Sequence, residues 1–263
     1  MKKVKKNLPK IFLVVVFFFL LAGFFARRVL HIQEEQPSSF SQSAEVRAVY
    51  DGDTIKVRFE SGEERIVRLI GVNTPEMEAS SSQKKWEALV SKRFAFYYLY
   101  PQTVDLSYDQ DKEDTYGRLL AYIWTEDQGL FNEFMVKKGF ARAYLKFPFR
   151  YQESFYQAQK EAQREERGLW KERPYPSISP RQAGAHIGEL ITVEYECVSV
   201  EKEDQFVFLH SAEKKFSALI EEKNWDQFPD VRDYEGKKIS VSGFMEEYKG
   251  NPQIIIFLPQ QIS

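Results

Sequence analysis

The sequence predicts a β-rich α+β protein with two folded parts that follow an N-terminal apolar segment. Apolar and polar residues alternate through much of 44–72 and 191–256, as is typical of half-buried strands. Apolar residues at helical spacing lie between them, beginning around 86–97. Proline, serine and other polar residues then separate the parts as linkers. The predicted organisation is a basic leader with a signal-anchor helix at 1–32, a linker at 33–43, a first domain at 44–171, a linker at 172–186 and a second domain at 187–263.

The net charge is uneven along the chain. The whole sequence has a formal charge of −2, but residues 1–30 carry seven basic side chains and no acidic one. Residues 44–172 sum to −2 and residues 186–263 sum to −7. Neither folded part is therefore a broad cationic surface of the kind that binds duplex DNA through many phosphates. Any nucleic acid must be bound at a local site.

The N-terminus predicts export. Residues 11–26 form an apolar run without a charge and follow a leader with five lysines. Bulky Phe24 and Phe25 precede Ala26, where a cleavage site needs small residues, so a retained anchor is favoured over cleavage and secretion. The lysine-rich end then stays in the cytoplasm, and the rest of the chain is membrane-anchored and extracytoplasmic.

Cysteine and histidine chemistry has little support. Cys197 is the only cysteine, so the chain has neither an intramolecular disulfide nor a cysteine metal cluster. The three histidines are scattered along the sequence. The chemistry must therefore come from carboxylates, arginines and tyrosines.

The first domain is predicted to be a small Greek-key barrel of the OB type, with helices packed against it. The expected strands are 44–50, 54–60, 64–72, 103–107 and 118–124. The expected helices lie around 86–97, 130–138 and 151–167, the last of them capped by Gly168. The second domain has the same strand-rich pattern and is predicted to be a second small β-barrel.

Three short segments of the first domain concentrate polar residues. YDGDT at 50–54 is by itself a turn signal between strands. RLIGVNTPE at 68–76 places Arg68 inside a strand, where it must be paired or face a ligand because burying it unpaired is costly. DTYGRLLAY at 114–122 is a turn that leads into a strand. Each segment alone is a weak signal.

In this order and spacing, the three segments resemble the staphylococcal nuclease family over residues 44–170. The resemblance implies the staphylococcal nuclease fold, a five-stranded barrel with three helices, and calcium-dependent hydrolysis of DNA, RNA or both. It also implies a role for each matching residue. By this resemblance, Arg68 and Arg118 bind the phosphate, and Glu76 positions or deprotonates the attacking water. Ca²⁺ is bound by Asp53, Asn73 and the Thr74 carbonyl, with Asp51 beside these ligands. The nucleotide pocket is lined by Tyr116 and Tyr144.

Asn73 departs from the family pattern, which usually has a carboxylate at this position. An amide oxygen binds calcium without contributing charge, so weaker calcium binding is expected. The alternative interpretation is a weak or inactive, membrane-tethered scaffold that binds nucleic acid or protein. It is disfavoured because Asp53, Glu76, Arg68 and Arg118 are all present.

The second domain resembles OB-fold modules that bind single-stranded nucleic acid. The resemblance rests on GELITV at 188–193, GKKISVSG at 236–243 and YKGNPQI at 248–254. Its aromatic residues are able to stack on bases, but its charge of −7 argues against a strong backbone groove. The alternative therefore stays open that these aromatic residues pack in the core and that the domain serves for docking or protein binding. The predicted partners are single-stranded DNA or RNA and the membrane, and the chain is predicted to be a monomer.

Overall fold

The computed structural model describes residues 42–77, 81–172 and 174–263. The predicted leader and signal-anchor helix at 1–32 lie outside these residues. Within the described ranges, every helix is too short or too polar to cross a membrane.

The helices and strands of the described residues are numbered here in chain order. The three α-helices are α1 Ser82–Leu99, α2 Phe131–Lys137 and α3 Gln152–Arg164. The strands of the first part are β1 Gln42–Val49, β2 Thr54–Phe59, β3 Glu64–Leu69, β4 Val72–Asn73, β5 Thr103–Ser107, β6 Leu119–Thr125, β7 Gly129–Leu130 and β8 Arg142–Ala143. Those of the second part are β9 Ser177–Ile178, β10 Leu190–Glu196, β11 Ser199–Glu203, β12 Phe206–His210, β13 Ser217–Glu221, β14 Lys238–Tyr248 and β15 Asn251–Ile256.

Five strands of the first part close into a barrel. β1, β2 and β3 pair as consecutive antiparallel hairpins, and β5 pairs antiparallel with both β1 and β6. β6 runs parallel to β3 and closes the circle. The predicted five-stranded barrel with three helices is therefore confirmed.

The barrel core is built from the inward faces of these strands and from the helices packed against them. Ile55 of β2, Leu69 of β3 and Tyr122 of β6 are fully buried. Phe94 of α1 stacks on Phe140, with their ring centroids 4.2 Å apart. α1 and the segment after α2 thus lie against the same core.

The prediction of one strand over 64–72 is wrong, because β3 ends at Leu69. Gly71 has φ +73°, and a Cβ at this position would lie 2.7 Å from the Phe149 ring, so the chain turns here in a way only glycine permits. Val72 and Asn73 then pair with β8 in a separate two-stranded sheet. The turn carries the following polar residues out of the barrel wall.

The predicted end of the last helix is also wrong. α3 ends at Arg164, and Glu166 two residues further on has φ +49°, which stops the helix. Gly168 instead lies against the backbone of Gly139, where an added Cβ would approach the Gly139 carbonyl oxygen to 2.6 Å. The glycine therefore permits a close approach of two backbone segments.

The second sheet repeats the pairing pattern of the barrel. β12 pairs antiparallel with β11 and β13, β13 runs parallel to β15, and β15 continues antiparallel through β14 to β10. β10 and β11 are separated by two residues and together take the place that β1 has in the barrel. A second buried cluster, including Val193, Phe216 and Ile254, lies within this sheet.

The second sheet packs directly on α1. The Phe244 ring of β14 lies 5.7 Å from Phe94 and 5.5 Å from Phe140, edge-on to both. Tyr175, from the segment predicted as a linker at 172–186, is buried and accepts a hydrogen bond from Trp86 Nε1 at 3.1 Å. The same segment carries β9, which pairs parallel with β10. The predicted domain boundaries stay predictions.

Candidate active site

The tight turn between β1 and β2 presents the first candidate carboxylates. The Tyr50 N–H donates to the Thr54 carbonyl at 3.0 Å, and the Leu69 N–H donates to the Asp53 carbonyl at 2.9 Å. A Cβ on Gly52 would lie 2.6 Å from Thr74 Cγ2 and 2.9 Å from Ser91 Cβ. Glycine at this position therefore lets the turn approach the Thr74 segment.

Asp53 is the centre of the hydrogen-bonded network at this turn. Its side chain is buried, and Oδ2 accepts hydrogen bonds from the Thr74 N–H at 2.7 Å and the Thr74 hydroxyl at 3.0 Å. Oδ1 accepts a hydrogen bond from the Thr54 hydroxyl at 3.1 Å. The Arg68 guanidinium lies 3.1 Å from Oδ2. Three residues that the sequence assigns to one site are thus in direct contact.

Arg68 is held rigidly by its own strand and by the turn that follows. It lies opposite Thr54 in the β2–β3 register, which aims its side chain at the Asp53 turn. Its Nη1 donates to the Val72 carbonyl at 2.7 Å and to the Leu69 carbonyl at 3.1 Å. Of the two predicted alternatives for this strand guanidinium, a paired side chain or one that faces a ligand, the structure shows the pair, and the partner is Asp53.

Asp51 adds a second carboxylate beside Asp53. Its Oδ1 accepts the Asp53 N–H at 3.1 Å. Burial, followed by the negative charge of Asp53, raises the pKa of the Asp51 carboxyl from 3.8 to about 6. Two carboxylates that repel each other in a half-buried turn favour a bound cation, because the cation would offset their negative charge.

The donor set of this turn fits a calcium ion. It offers carboxylate oxygens from Asp51 and Asp53, and the predicted ligands Asn73 and Thr74 add an amide oxygen and a backbone carbonyl oxygen. These are the hard ligands that calcium prefers. Within the described ranges, no three His, Cys, Asp or Glu side chains gather into a metal cluster, so amide, carbonyl and water oxygens would have to complete the coordination of such an ion.

Asn73 and Glu76 lie in the segment that follows the turn at Gly71. Asn73 lies opposite Arg142 in the short β4–β8 pairing and is half-buried, while Glu76 is exposed. Neither side chain forms a hydrogen bond or ion pair with the residues that the structure describes. The Asn73 amide and the Glu76 carboxylate are therefore both available to a ligand or to water.

Arg118 and Tyr116 form a second group with Asp114. The Asp114 carboxylate accepts hydrogen bonds from Arg118 Nε at 2.7 Å and from the N–H groups of Arg118 and Tyr116 at 2.9 Å. The Arg118 guanidinium carbon lies 5.6 Å from the centre of the Tyr116 ring, which is 84% exposed. Burial raises the pKa of the Asp114 carboxyl, but these hydrogen bonds outweigh it and hold the pKa below its ordinary value.

The barrel topology relates the two arginines. Arg68 lies opposite Leu120 in the parallel β3–β6 pairing. Arg118 precedes Leu120 by two residues, immediately before this neighbouring strand begins. Among the described residues, no hydrogen bond or ion pair joins the Arg118 group directly to Asp53 or Arg68. The structure therefore brings Asp51, Asp53, Thr74 and Arg68 into contact, and brings Arg118 and Tyr116 into contact as a second group.

Tyr144 is tied to the turn after β3. Its N–H donates to the Gly71 carbonyl at 2.8 Å, which fixes its backbone beside the β4 segment. Its ring lies 6.1 Å from the exposed ring of Phe147 and 6.0 Å from Lys146 Nζ. A half-buried aromatic ring between an aromatic and a cationic neighbour suits contact with a base or a sugar.

Sequence reasoning assigned no role to two residues that position this site. Asp114 orients Arg118, and the signal for it was the i, i+4 spacing of opposite charges within the third segment. Asn132, fully buried on α2, donates to the Ile70 and Ala121 carbonyls and accepts the Ile123 N–H. It joins the end of β3 to β6. Its only signal in the sequence is an asparagine among the apolar residues of a predicted helix.

A small closed barrel that presents carboxylates and one guanidinium group at a turn, with a second guanidinium group next to the start of the neighbouring strand, has the residue types that a phosphodiesterase needs. The chain matches the family model described as staphylococcal nuclease homologue over residues 66–172. It is 39% identical over 130 residues to the thermonuclease of Staphylococcus hyicus, which covers 49% of this chain and 76% of that protein. It is 40% identical over 127 residues to the thermonuclease of Staphylococcus intermedius, covering 48% of this chain and 74% of that protein.

The matching region extends to a relative from another genus. The SPbeta prophage-derived endonuclease YokF of Bacillus subtilis is 35% identical over 141 residues, covering 49% of this chain and 44% of that protein. The chain belongs to the staphylococcal nuclease family.

Proposed function

We propose that the chain is a nuclease that uses calcium to hydrolyse phosphodiester bonds of single-stranded DNA or RNA outside the cytoplasm. Membership of a family with thermonuclease and endonuclease relatives supports the nuclease activity. The observation that carries the site assignment is the Asp53 carboxylate, which contacts Thr74 and Arg68 at once. Asp53 and Thr74, which are candidate metal ligands, thus contact each other, and Arg68, a candidate phosphate ligand, contacts the same carboxylate.

Asp53, Asn73 and the Thr74 carbonyl would hold the calcium ion, with Asp51 beside them. When bound, the ion supplies Lewis-acid stabilisation of the charge that develops on a phosphate oxygen. Because Asn73 contributes no charge, this site is expected to need more calcium than one with a carboxylate at the same position.

The two arginines bind the phosphate. Arg68 is pre-positioned by the Leu69 and Val72 carbonyls, and Arg118 is pre-positioned by Asp114. Each guanidinium offers paired N–H donors to phosphate oxygens, and these bonds strengthen as negative charge accumulates in the transition state.

Glu76 acts on the attacking water. Its exposed carboxylate has no partner among the described residues and can accept a proton from water as the oxygen–phosphorus bond forms. The ester bond to the leaving oxygen then breaks, and a proton from solvent or from Glu76 neutralises that oxygen.

The assignment of the arginines is tested by hydrolysis of single-stranded DNA at millimolar-scale calcium. Arg68→Lys keeps a charge beside the buried Asp53 but loses the paired donors, so it and Arg118→Ala should each lower kcat at least about 100-fold. Arg58→Ala is the matched control, because Arg58 is an exposed barrel arginine paired with Glu64. Wild-type rates for Arg68→Lys and Arg118→Ala would refute the roles of both arginines.

The second part of the chain is proposed to be an OB-like module. The support is its strand pairing, which repeats that of the barrel, including the parallel β13–β15 pair. Membrane anchoring is proposed from the basic leader and the apolar run of residues 11–26 alone. Membrane fractionation, followed by protease treatment of intact cells, tests it, and a protected nuclease domain would refute the extracytoplasmic location.

A further inference from the structure

A cleft of about 620 Å³ lies between α1 and the segment that follows β13. We refer to it as the junction cleft. Its walls are α1, the end of β1 and the turn Glu222–Gln227, and it reaches Met77, the residue after Glu76. It therefore adjoins the candidate active-site loop but is lined by none of the residues assigned to catalysis.

The junction cleft has more basic than acidic side chains in its lining, in a molecule with a net negative charge. Five basic side chains line it, while Glu221 is the only acidic residue in its lining. The basic residues are Arg47, Lys85, Lys92, Arg93 and Lys223. Both folded parts carry net negative charge, so this local excess of basic side chains favours an anionic ligand.

Lys85 and Lys92 are the available cations of the junction cleft. Arg47, Arg93 and Lys223 pair with Glu45, Glu246 and Glu221 respectively. Lys85 and Lys92 form no ion pair with the residues that the structure describes. Lys92 is half-buried and Lys85 is exposed.

The α1 wall of the junction cleft alternates charge and apolar surface. Lys85, Leu89, Lys92 and Phe96 follow at helical spacing and all line the cleft. The two lysines are about 10 Å apart along the helix axis, given a rise of about 1.5 Å per residue. The Phe96 ring has the Arg93 guanidinium carbon and the Tyr100 ring each 4.7 Å from its centre, and Tyr100 is 39% exposed. Charged heads interleaved with aromatic faces are the pattern that binds single-stranded nucleic acid.

The opposite wall offers an unsatisfied donor. The Asn224 side-chain nitrogen is buried and has no hydrogen-bond partner among the described residues, and Asn224 lines the junction cleft. A buried N–H group of this kind favours an incoming acceptor such as a phosphate or a base carbonyl.

We propose that the junction cleft holds the single-stranded substrate on one side of the cleaved bond. Lys85 and Lys92 bind backbone phosphates, the exposed Tyr100 ring contacts a base or sugar, and Asn224 donates to the strand. This inference rests on the proposed nuclease function, and it assigns the second part of the chain a contribution to substrate binding through the cleft.

The first test is equilibrium binding by the full chain, kept in solution with a non-ionic detergent. A fluorescein-labelled 20-nucleotide oligothymidylate is titrated in excess chelator and followed by fluorescence anisotropy. Lys85→Gln/Lys92→Gln should weaken binding about tenfold and reduce the slope of log affinity against log salt by about 1.4, or about 0.7 per lost phosphate contact. Lys85→Arg/Lys92→Arg should keep wild-type binding.

The matched control is Lys84→Gln/Lys137→Gln, which removes two exposed lysines that do not line the junction cleft. An equal loss of binding in the control would overturn the proposal, because it would reflect net charge alone. Unchanged affinity and salt slope in the cleft variant would also overturn it.

The second test separates the junction cleft from the catalytic site. The kcat/KM for the 20-nucleotide strand is divided by that for a chromogenic nucleotide phosphodiester, and this ratio should fall about tenfold in the Lys85→Gln/Lys92→Gln variant only. An unchanged ratio contradicts the proposal while leaving the nuclease function intact. If wild type cleaves neither substrate but the lysines still govern strand binding, the nuclease function fails and the binding site is supported.

Discussion

The Arg93 guanidinium of α1 forms a bidentate ion pair with the Glu246 carboxylate of β14, with both nitrogen–oxygen distances at 2.5 Å. The Glu246 side chain is 1% exposed and also accepts a hydrogen bond from Gln253 Nε2 at 2.7 Å. Together with Phe244, this pair ties the second sheet to the helix that flanks the barrel.

Removing one partner should be far more damaging than removing both. Arg93→Ala leaves a buried carboxylate uncompensated and should lower the free energy of unfolding by about 3–5 kcal/mol. Arg93→Met/Glu246→Met removes both charges and should cost much less. Urea unfolding of the two variants measures this difference, and equal destabilisation would argue against a buried charge as the cause.

The carboxylate pair at the β1–β2 turn predicts that the free energy of unfolding depends on pH in the absence of calcium. Because the folded state raises the pKa of Asp51 to about 6, it binds this proton more tightly than the unfolded chain, and stability falls as the pH rises from about 4 to 6. Asp51→Asn removes this penalty and keeps an oxygen to accept the Asp53 N–H.

In chelator at pH 7.5, Asp51→Asn should therefore be more stable than wild type by about 1–2 kcal/mol, the modest size reflecting solvent screening of a half-buried group. The difference should vanish below pH 4. Thermal unfolding across this pH range measures it, with the exposed Asp111→Asn as control for removing the same charge. A gain that is independent of pH would contradict the account.

Asn73 predicts the calcium requirement. Asn73→Asp places a carboxylate at a proposed calcium-ligand position, so the calcium concentration for half-maximal hydrolysis should fall by about tenfold. A calcium titration of initial rates with single-stranded DNA measures the shift. An identical half-maximal concentration in both proteins would show that Asn73 does not bind the ion.

Gly52 predicts a packing effect at the carboxylate turn. Gly52→Ala drives a Cβ against Thr74 and Ser91 and should destabilise the fold by about 1–3 kcal/mol while impairing calcium-dependent hydrolysis. Gly184→Ala is the matched control, because its added Cβ meets only Pro252 at 3.8 Å. Comparable urea midpoints for the two variants would contradict the close approach at Gly52.

Much of the barrel follows from local patterns. Alternation in β1, β2 and β6 and the helical spacing of α1 are visible in the sequence, and the rule that a strand arginine needs a partner anticipated the contact of Arg68. The break after Leu69 was not predicted, because apolar residues continue on both sides of Gly71. The turn at Gly71 is set by close contact with Phe149, which lies nearly eighty positions further along the sequence.

The docking of the second sheet was also invisible to sequence reasoning. Phe244 reads as an ordinary strand residue, and Glu246 reads as a solvent-exposed charge, because their partners on α1 are separated from them by about 150 positions. The junction cleft arises from the same docking. Its lysines belong to one helix, but the opposing Asn224 comes from the other part of the chain.

The central claim is tested most directly by the initial rate of single-stranded DNA hydrolysis by the full chain at millimolar-scale calcium, repeated in excess chelator and with Glu76→Gln. The account predicts hydrolysis that chelator abolishes and that Glu76→Gln lowers by at least about 100-fold. Hydrolysis that persists in chelator or in the Glu76→Gln variant, or its absence from wild type at every calcium concentration, would contradict it.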